Sequence, residues 1–206
     1  MNGKKPFSMI RNFHLADWFT LGNAFCGMAA VFAAMAYLQT QDVNFLFWAA
    51  GFIPAALVFD ILDGRIARWR QEQSALGREL DSLADVISFG VAPAVIAYSS
   101  GMHGLWDALI LTCFVACGVS RLARYNITAE AMSENSSGKV KYFEGTPIPS
   151  STILVVVLAV AAGQGRIGDA LWFGQLQLGP GVLHPLTLMF ALSGSLMVST
   201  IRIPKL

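Results

Sequence analysis

Charged residues are missing from long stretches of this chain, and that absence limits what it can fold into. Trp18 to Gln41 is a run of 24 residues without a charge; 17 more lie between Asp42 and Asp60, and 21 between Asp85 and Asp107. The gap from Asp107 to Arg121 is 13 residues, that from Glu144 to Arg166 is 21, and that from Asp169 to Arg202 is 32. A helix needs ~20 mostly apolar residues to cross the hydrocarbon of a bilayer. Backbone amides in lipid must bond within their own segment, so such runs read as helices. Composition agrees, since the chain is 55% hydrophobic and 13% charged, whereas a soluble domain is about a quarter charged. The fold class expected is an all-α integral membrane protein of six spans, at about 18–39, 44–66, 80–99, 105–124, 148–164 and 182–201. The short fourth run fits if Asp107 and Arg121 stand at opposite interfaces, with Arg121 snorkelling outward.

Basic residues orient the spans. Lys4, Lys5 and Arg11 precede the first; Arg65, Arg68, Arg70 and Arg78 cluster between the second and third. Arg121, Arg124, Lys139 and Lys141 follow the fourth, and Arg202 and Lys205 the sixth. That places 13 of the 14 basic residues on one side and only Arg166 on the other. The positive-inside rule then puts both termini in the cytoplasm. Residues 1–206 read as one membrane domain, with 1–17 a cytoplasmic N-terminal segment. Phe7 to Leu15 mixes apolar and basic residues and can lie on the membrane surface as an amphipathic helix. The first run is too long, and its leader too long, for a cleaved signal peptide.

Other classes are excluded. So apolar a chain is not disordered, and a net charge of +1 gives no reason to expect nucleic acid. Cys26, Cys113 and Cys117 lie in apolar runs without metal or disulfide spacing. His14, His103 and His184 have no partner at ligand spacing and suit interface or packing positions.

The chemistry concentrates in four aspartates. Asp60 and Asp63 are three apart, Asp81 and Asp85 four apart, so each pair shares a helix face. The first pair falls at the cytoplasmic end of the second span, the second at the start of the third. A hairpin through residues 68–77 can bring the faces together. Four carboxylates converging at a lipid boundary repel one another and lose solvation. Two divalent cations would balance their charge, and all-oxygen ligation suits Mg²⁺ or Mn²⁺, with Ca²⁺ also possible. Gly64, Ala67 and Gly77 leave a bare stripe beside the acids that lets a ligand or helix approach the backbone. Arg68 adds a planar donor suited to phosphate. The competing reading is a solvated hairpin whose acids pair with Arg65, Arg68, Arg70 and Arg78.

These residues carry a resemblance. Asp60-Ile-Leu-Asp63-Gly64-Arg-Ile-Ala67-Arg68, eight further residues, then Gly77-Arg-Glu-Leu-Asp81-Ser-Leu-Ala-Asp85 resembles the signature of the CDP-alcohol phosphotransferase superfamily. Four more segments are similar to its phosphatidylserine synthase branch: Leu21–Gly27, Ser88–Pro93, Arg121–Asn126 and Phe143–Pro149. The likeness runs from about residue 15 to 150. It implies transfer of a phosphatidyl group from CDP-diacylglycerol to L-serine with release of CMP, dependence on divalent metal, and a homodimer. Carried over by position, Asp60, Asp63 and Asp81 are metal ligands, and Asp85 is a ligand or the general base. Asn23, Asp60, Gly64, Ala67, Arg68 and Gly77 border the nucleotide donor. The carboxylate of serine calls for an arginine, and Arg121 and Arg124, a turn apart, are the candidates. The implied location is a bacterial cytoplasmic membrane, with the site facing inward. Glycerol 3-phosphate or inositol phosphate as acceptor, and an archaeal diether as donor, remain open. A cation transporter is the alternative of another class, although its acids belong near the bilayer midplane.

Overall fold

The computed structural model of the chain describes residues 14–70, 74–134 and 142–204. The amphipathic helix expected over Phe7–Leu15 falls almost wholly outside them, as do Lys139 and Lys141. Helices dominate: α1 (Leu15–Thr40), α2 (Asn44–Arg70), α3 (Ala75–Asp85), α4 (Ala92–Ser99), α5 (Leu105–Glu134), α6 (Thr152–Gly163) and α7 (Leu188–Met197). A π-turn over Val86–Val91 joins α3 to α4 into one continuous rod.

Four helical segments of the described residues are long and apolar enough to cross a membrane: Leu15–Thr40, Asn44–Arg70, Leu76–Ser99 and Leu105–Ile127. The fifth and sixth expected spans are shorter apolar helices, Ile148–Gly163 and Pro185–Met197. At 1.5 Å per residue they measure about 24 and 20 Å. Pro185 starts the last helix later than residue 182, because Leu176–Leu178 and Gly181–Leu183 pair as a hairpin about Gly179 and Pro180. The backbone of Tyr142–Glu144 pairs antiparallel with Arg202–Pro204. That pairing holds the approach to α6 beside the exit from α7.

Packing is inverted relative to a water-soluble bundle. Small residues fill the interior, with Ala30, Ala34, Ala49 and Ala56 fully buried between α1 and α2. Phe25, Phe32, Trp48, Leu109, Ile153 and Leu192 point outward. Lipid tails are as apolar as these side chains, so outward bulk costs nothing in a membrane, while small residues let helix backbones close on each other. This is the arrangement of an integral membrane protein.

Two polar assemblies mark the ends of the bundle. At one end, Asp107 is fully buried at the start of α5. It accepts from Gly104 N at 3.0 Å, His184 N at 2.9 Å and Thr187 Oγ1 at 2.8 Å, and it pairs with His184 Nδ1. Asp107, expected at an interface, clasps the loop that leads into α7. The aspartate pairs lie at the other end.

Candidate active site

The site is built where α2 ends and α3 begins. Ser74 caps α3 by accepting from Gly77 N at 2.8 Å, which starts the helix early enough to carry both Asp81 and Asp85. Asp60 and Asp63 sit on the last turns of α2. One carboxylate oxygen from each of Asp60, Asp63 and Asp81 lies within 4.8 Å of the others. Two like charges at that separation repel by about 3 kcal/mol at an effective dielectric of ~20. Three such acids side by side could hold a cation that relieves this repulsion. Asp81 Oδ1 is buried and has no hydrogen-bond partner, as expected of an oxygen kept for a metal. The donor set is all oxygen, which fits a hard divalent cation.

Asp85 stands one turn further along α3, outside this compact group, and is 6% exposed. It lies within electrostatic reach of Asp60, Asp81 and Asp63. The hairpin thus brings all four aspartates into one region, three of them at ligand spacing.

Helix α1 supplies a wall of which sequence reasoning assigned Asn23, as a donor contact, but not Thr20 or Asp17. Thr20 Oγ1 donates to Asp63 Oδ2 at 2.8 Å, and Asn23 Nδ2 donates to Asp85 Oδ1 at 3.1 Å. Both are buried. Asp17, also buried, accepts from His14 N at 2.8 Å and so closes the first turn of α1. Asp17, Thr20, Asn23 and Gly27 recur every three or four residues, a polar stripe in an apolar helix. That periodicity was the available signal for Thr20.

The small residues divide. Arg68 folds back over Gly64, its Nη1 3.5 Å from where a Cβ would stand, so a guanidinium lies beside the bare backbone of the motif. Ala67 is half-buried on the same helix. Gly77 faces its own cap and α1: a Cβ there would meet Ser74 Oγ and Asp17 Oδ1, each at 3.1 Å. It admits a neighbouring helix.

Arg121 lies on the Asp85 side of α5. Its Nε is buried without a partner, and the residue lies in the field of Asp85. A buried carboxylate thus offers the guanidinium an opposite charge. Arg124, three residues on, is exposed. Below them, Asn126 Nδ2 donates to Ser82 Oγ at 3.0 Å and Glu79 Oε1 at 3.3 Å, tying α5 to α3. The arrangement can hold a cation between two helices, keep a further carboxylate beside it, and set a cation of its own across from that carboxylate.

Residues 13–193 match the CDP-alcohol phosphatidyltransferase family, so the likeness continues past residue 150, where the motifs fade. A Saccharomyces cerevisiae protein is 43% identical over 202 residues, covering 97% of this chain and 73% of its own length. One from Helicobacter pylori is 36% identical, covering 91% and 70%. One from Bacillus subtilis is 34% identical, covering 68% and 72%. All three are named CDP-diacylglycerol–serine O-phosphatidyltransferase.

Proposed function

The chain belongs to the CDP-alcohol phosphatidyltransferase family of enzymes, and from that premise we propose that it transfers the phosphatidyl group of CDP-diacylglycerol to L-serine. The products are phosphatidylserine and CMP. The observation that carries the reading is the convergence of Asp60, Asp63 and Asp81 within 4.8 Å, beside Asp85. In this reading those three hold divalent cation, Mg²⁺ or Mn²⁺, with Ca²⁺ also suited to the oxygens; two ions would balance all four acids. Bound there, a cation would supply positive charge to offset the negative charge gathering on the departing CMP phosphate.

The protein's own groups do the rest. Gly64 and Ala67 border the nucleotide, Arg68 meets the pyrophosphate oxygens, and Gly77 keeps α3 close enough to complete the donor side. Serine Oγ attacks the phosphorus that bears the diacylglycerol, its proton passes to Asp85, and the bond to the CMP oxygen breaks. A carboxylate placed to take that proton contributes ~10²–10⁴ in rate. Arg121 holds the carboxylate of serine, with Arg124 the second candidate a turn away. The unpartnered Arg121 Nε supports this, since a buried donor next to the acids has a carboxylate to gain.

Six spans with both termini in the cytoplasm, one domain over 1–206, and a homodimer complete the reading, with the site at the cytoplasmic face of a bacterial inner membrane. There a soluble amino acid can meet a lipid tail held among helices. A panel of serine, glycerol 3-phosphate and inositol phosphate against CDP-diacylglycerol, read by CMP release, tests it. Serine alone should give CMP. Release with another acceptor would reassign the alcohol, and release with none of them would overturn the reading.

A further inference from the structure

Helix α1 packs along the third span, and Asn23 bonds to that span twice. Asn23 is fully buried. Its Nδ2 donates to Asp85 Oδ1 at 3.1 Å, and its main-chain carbonyl accepts from Ser88 Oγ at 2.9 Å. Asp85 and Ser88 are three apart and share a helix face, so one asparagine takes both. One turn further along α1, a Cβ on Gly27 would stand 2.7 Å from Ser88 Cα; only glycine allows so close an approach. Between Asp85 and Pro93 the helix widens into the π-turn, where Ala92 N bonds back to Ile87 O. Pro93 has no N–H to give and its ring crowds the preceding turn, and π-turns of this kind gather at functional sites.

We propose that Asn23 is a positioning residue for the transfer: it fixes the Asp85 carboxylate through one oxygen and leaves the other turned to the incoming hydroxyl. Ser88 and Gly27 hold Asn23 in turn. The inference rests on the role given to Asp85 above. It is an alternative to the donor-binding role that position suggested for Asn23, whose Nδ2 is engaged by Asp85 and whose Oδ1 is buried without a partner. A carboxylate at the end of a free rotor samples angles that do not receive the proton, and small misplacements of a reacting group are costly.

The test uses the full-length enzyme with Mg²⁺, measuring CDP-diacylglycerol affinity and serine-dependent CMP release separately. Asn23→Ala should lower kcat about 10- to 100-fold, the usual loss when a carboxylate's supporting hydrogen bond is removed, with donor affinity unchanged. Asn23→Leu, which keeps the volume filled, should do the same and so excludes a cavity effect. Added to Asp85→Asn, Asn23→Ala should cost nothing further, because the two act as one unit. A fall in donor affinity would make Asn23 a nucleotide contact and overturn the proposal, as would losses that multiply in the double variant. If neither Asn23 variant folds, Ser88→Ala reads the same chain of contacts: turnover should fall with donor affinity intact, and wild-type turnover would overturn the proposal. Should the wild-type enzyme prefer another alcohol, the functional reading changes, while the same cycle is run with that alcohol.

Discussion

At the scale of single residues, the four aspartates differ in what each oxygen has available. Asp81 Oδ1 is buried without a partner, Asp63 is shared with Thr20, and Asp85 is engaged by Asn23 outside the compact group. Asp60→Asn or Asp63→Asn should therefore weaken metal and donor binding together, since each removes ligand charge from the cluster. Asp85→Asn should keep donor binding and lose ~10²-fold or more in turnover, the scale of a missing general base. Donor affinity and CMP release at saturating Mg²⁺ separate the cases; equal loss of donor binding in Asp85→Asn would make it chiefly a ligand. Thr20→Val removes one hydroxyl at constant shape and should weaken Mg²⁺ binding about tenfold; unchanged affinity would make the Thr20 bond mere packing. The aspartates were legible in the sequence because their spacing and their charge within an apolar chain announce them. Thr20 and Asn23 were not paired with them, because their partners lie 43 and 62 residues away and local periodicity says nothing about contacts at that range.

At the scale of elements, uncharged runs located the first four spans well, since charge is what ends a helix's stay in lipid. They placed the fifth helix to within a residue and overstated the sixth, where Pro185 and the turn at Gly179 set limits that hydropathy alone does not register. The π-turn was hidden too: Ser88–Pro93 was visible as a motif, but neither its widened geometry nor the close packing of Ser88 on Gly27 can be read from local sequence. Gly27→Ala should accordingly destabilise the fold by about 1–3 kcal/mol, the cost of overpacking a tight contact, read as a lower melting temperature in detergent. The clasp at the far end makes the converse case. Asp107→Ala leaves several buried donors unpaired, each costing about 1–3 kcal/mol, so a large stability loss is expected. Asp107 is 14 residues from Arg121 on α5, about 21 Å along the axis, so the folded fraction should turn over normally. Loss of turnover without loss of stability would mean that the clasp reaches the site. Orientation has its own check: cysteines placed at Gln73 and Ser137 should label from the cytoplasmic face, and at Gln41 and Gln164 from the other. Outside labelling at Gln73 would invert the assignment.

At the scale of the whole molecule, the hairpin of α2 and α3 gathers acids that repel in the absence of a cation, while the rest of the bundle is apolar and small-residue packed. Stability and activity should then depend on the same ion. A ligand that binds only the folded state stabilises it by about 2.7 kcal/mol at 100 times its Kd, and relief of carboxylate repulsion is the physical source of that affinity. Chelation with EDTA should abolish CMP release and lower the melting temperature together; Mg²⁺ or Mn²⁺ should restore both. In Asp60→Asn the cluster has lost a charge, so the apo protein should melt higher than apo wild type and gain less from added metal. Zn²⁺ should substitute poorly, because the cluster offers oxygen and no thiolate or imidazole. Full activity in chelator would sink the metal reading of the cluster. Full restoration of stability without activity would show a cation that binds but does not serve the reaction, and would move the search for the catalytic role to Asp85 and Arg121.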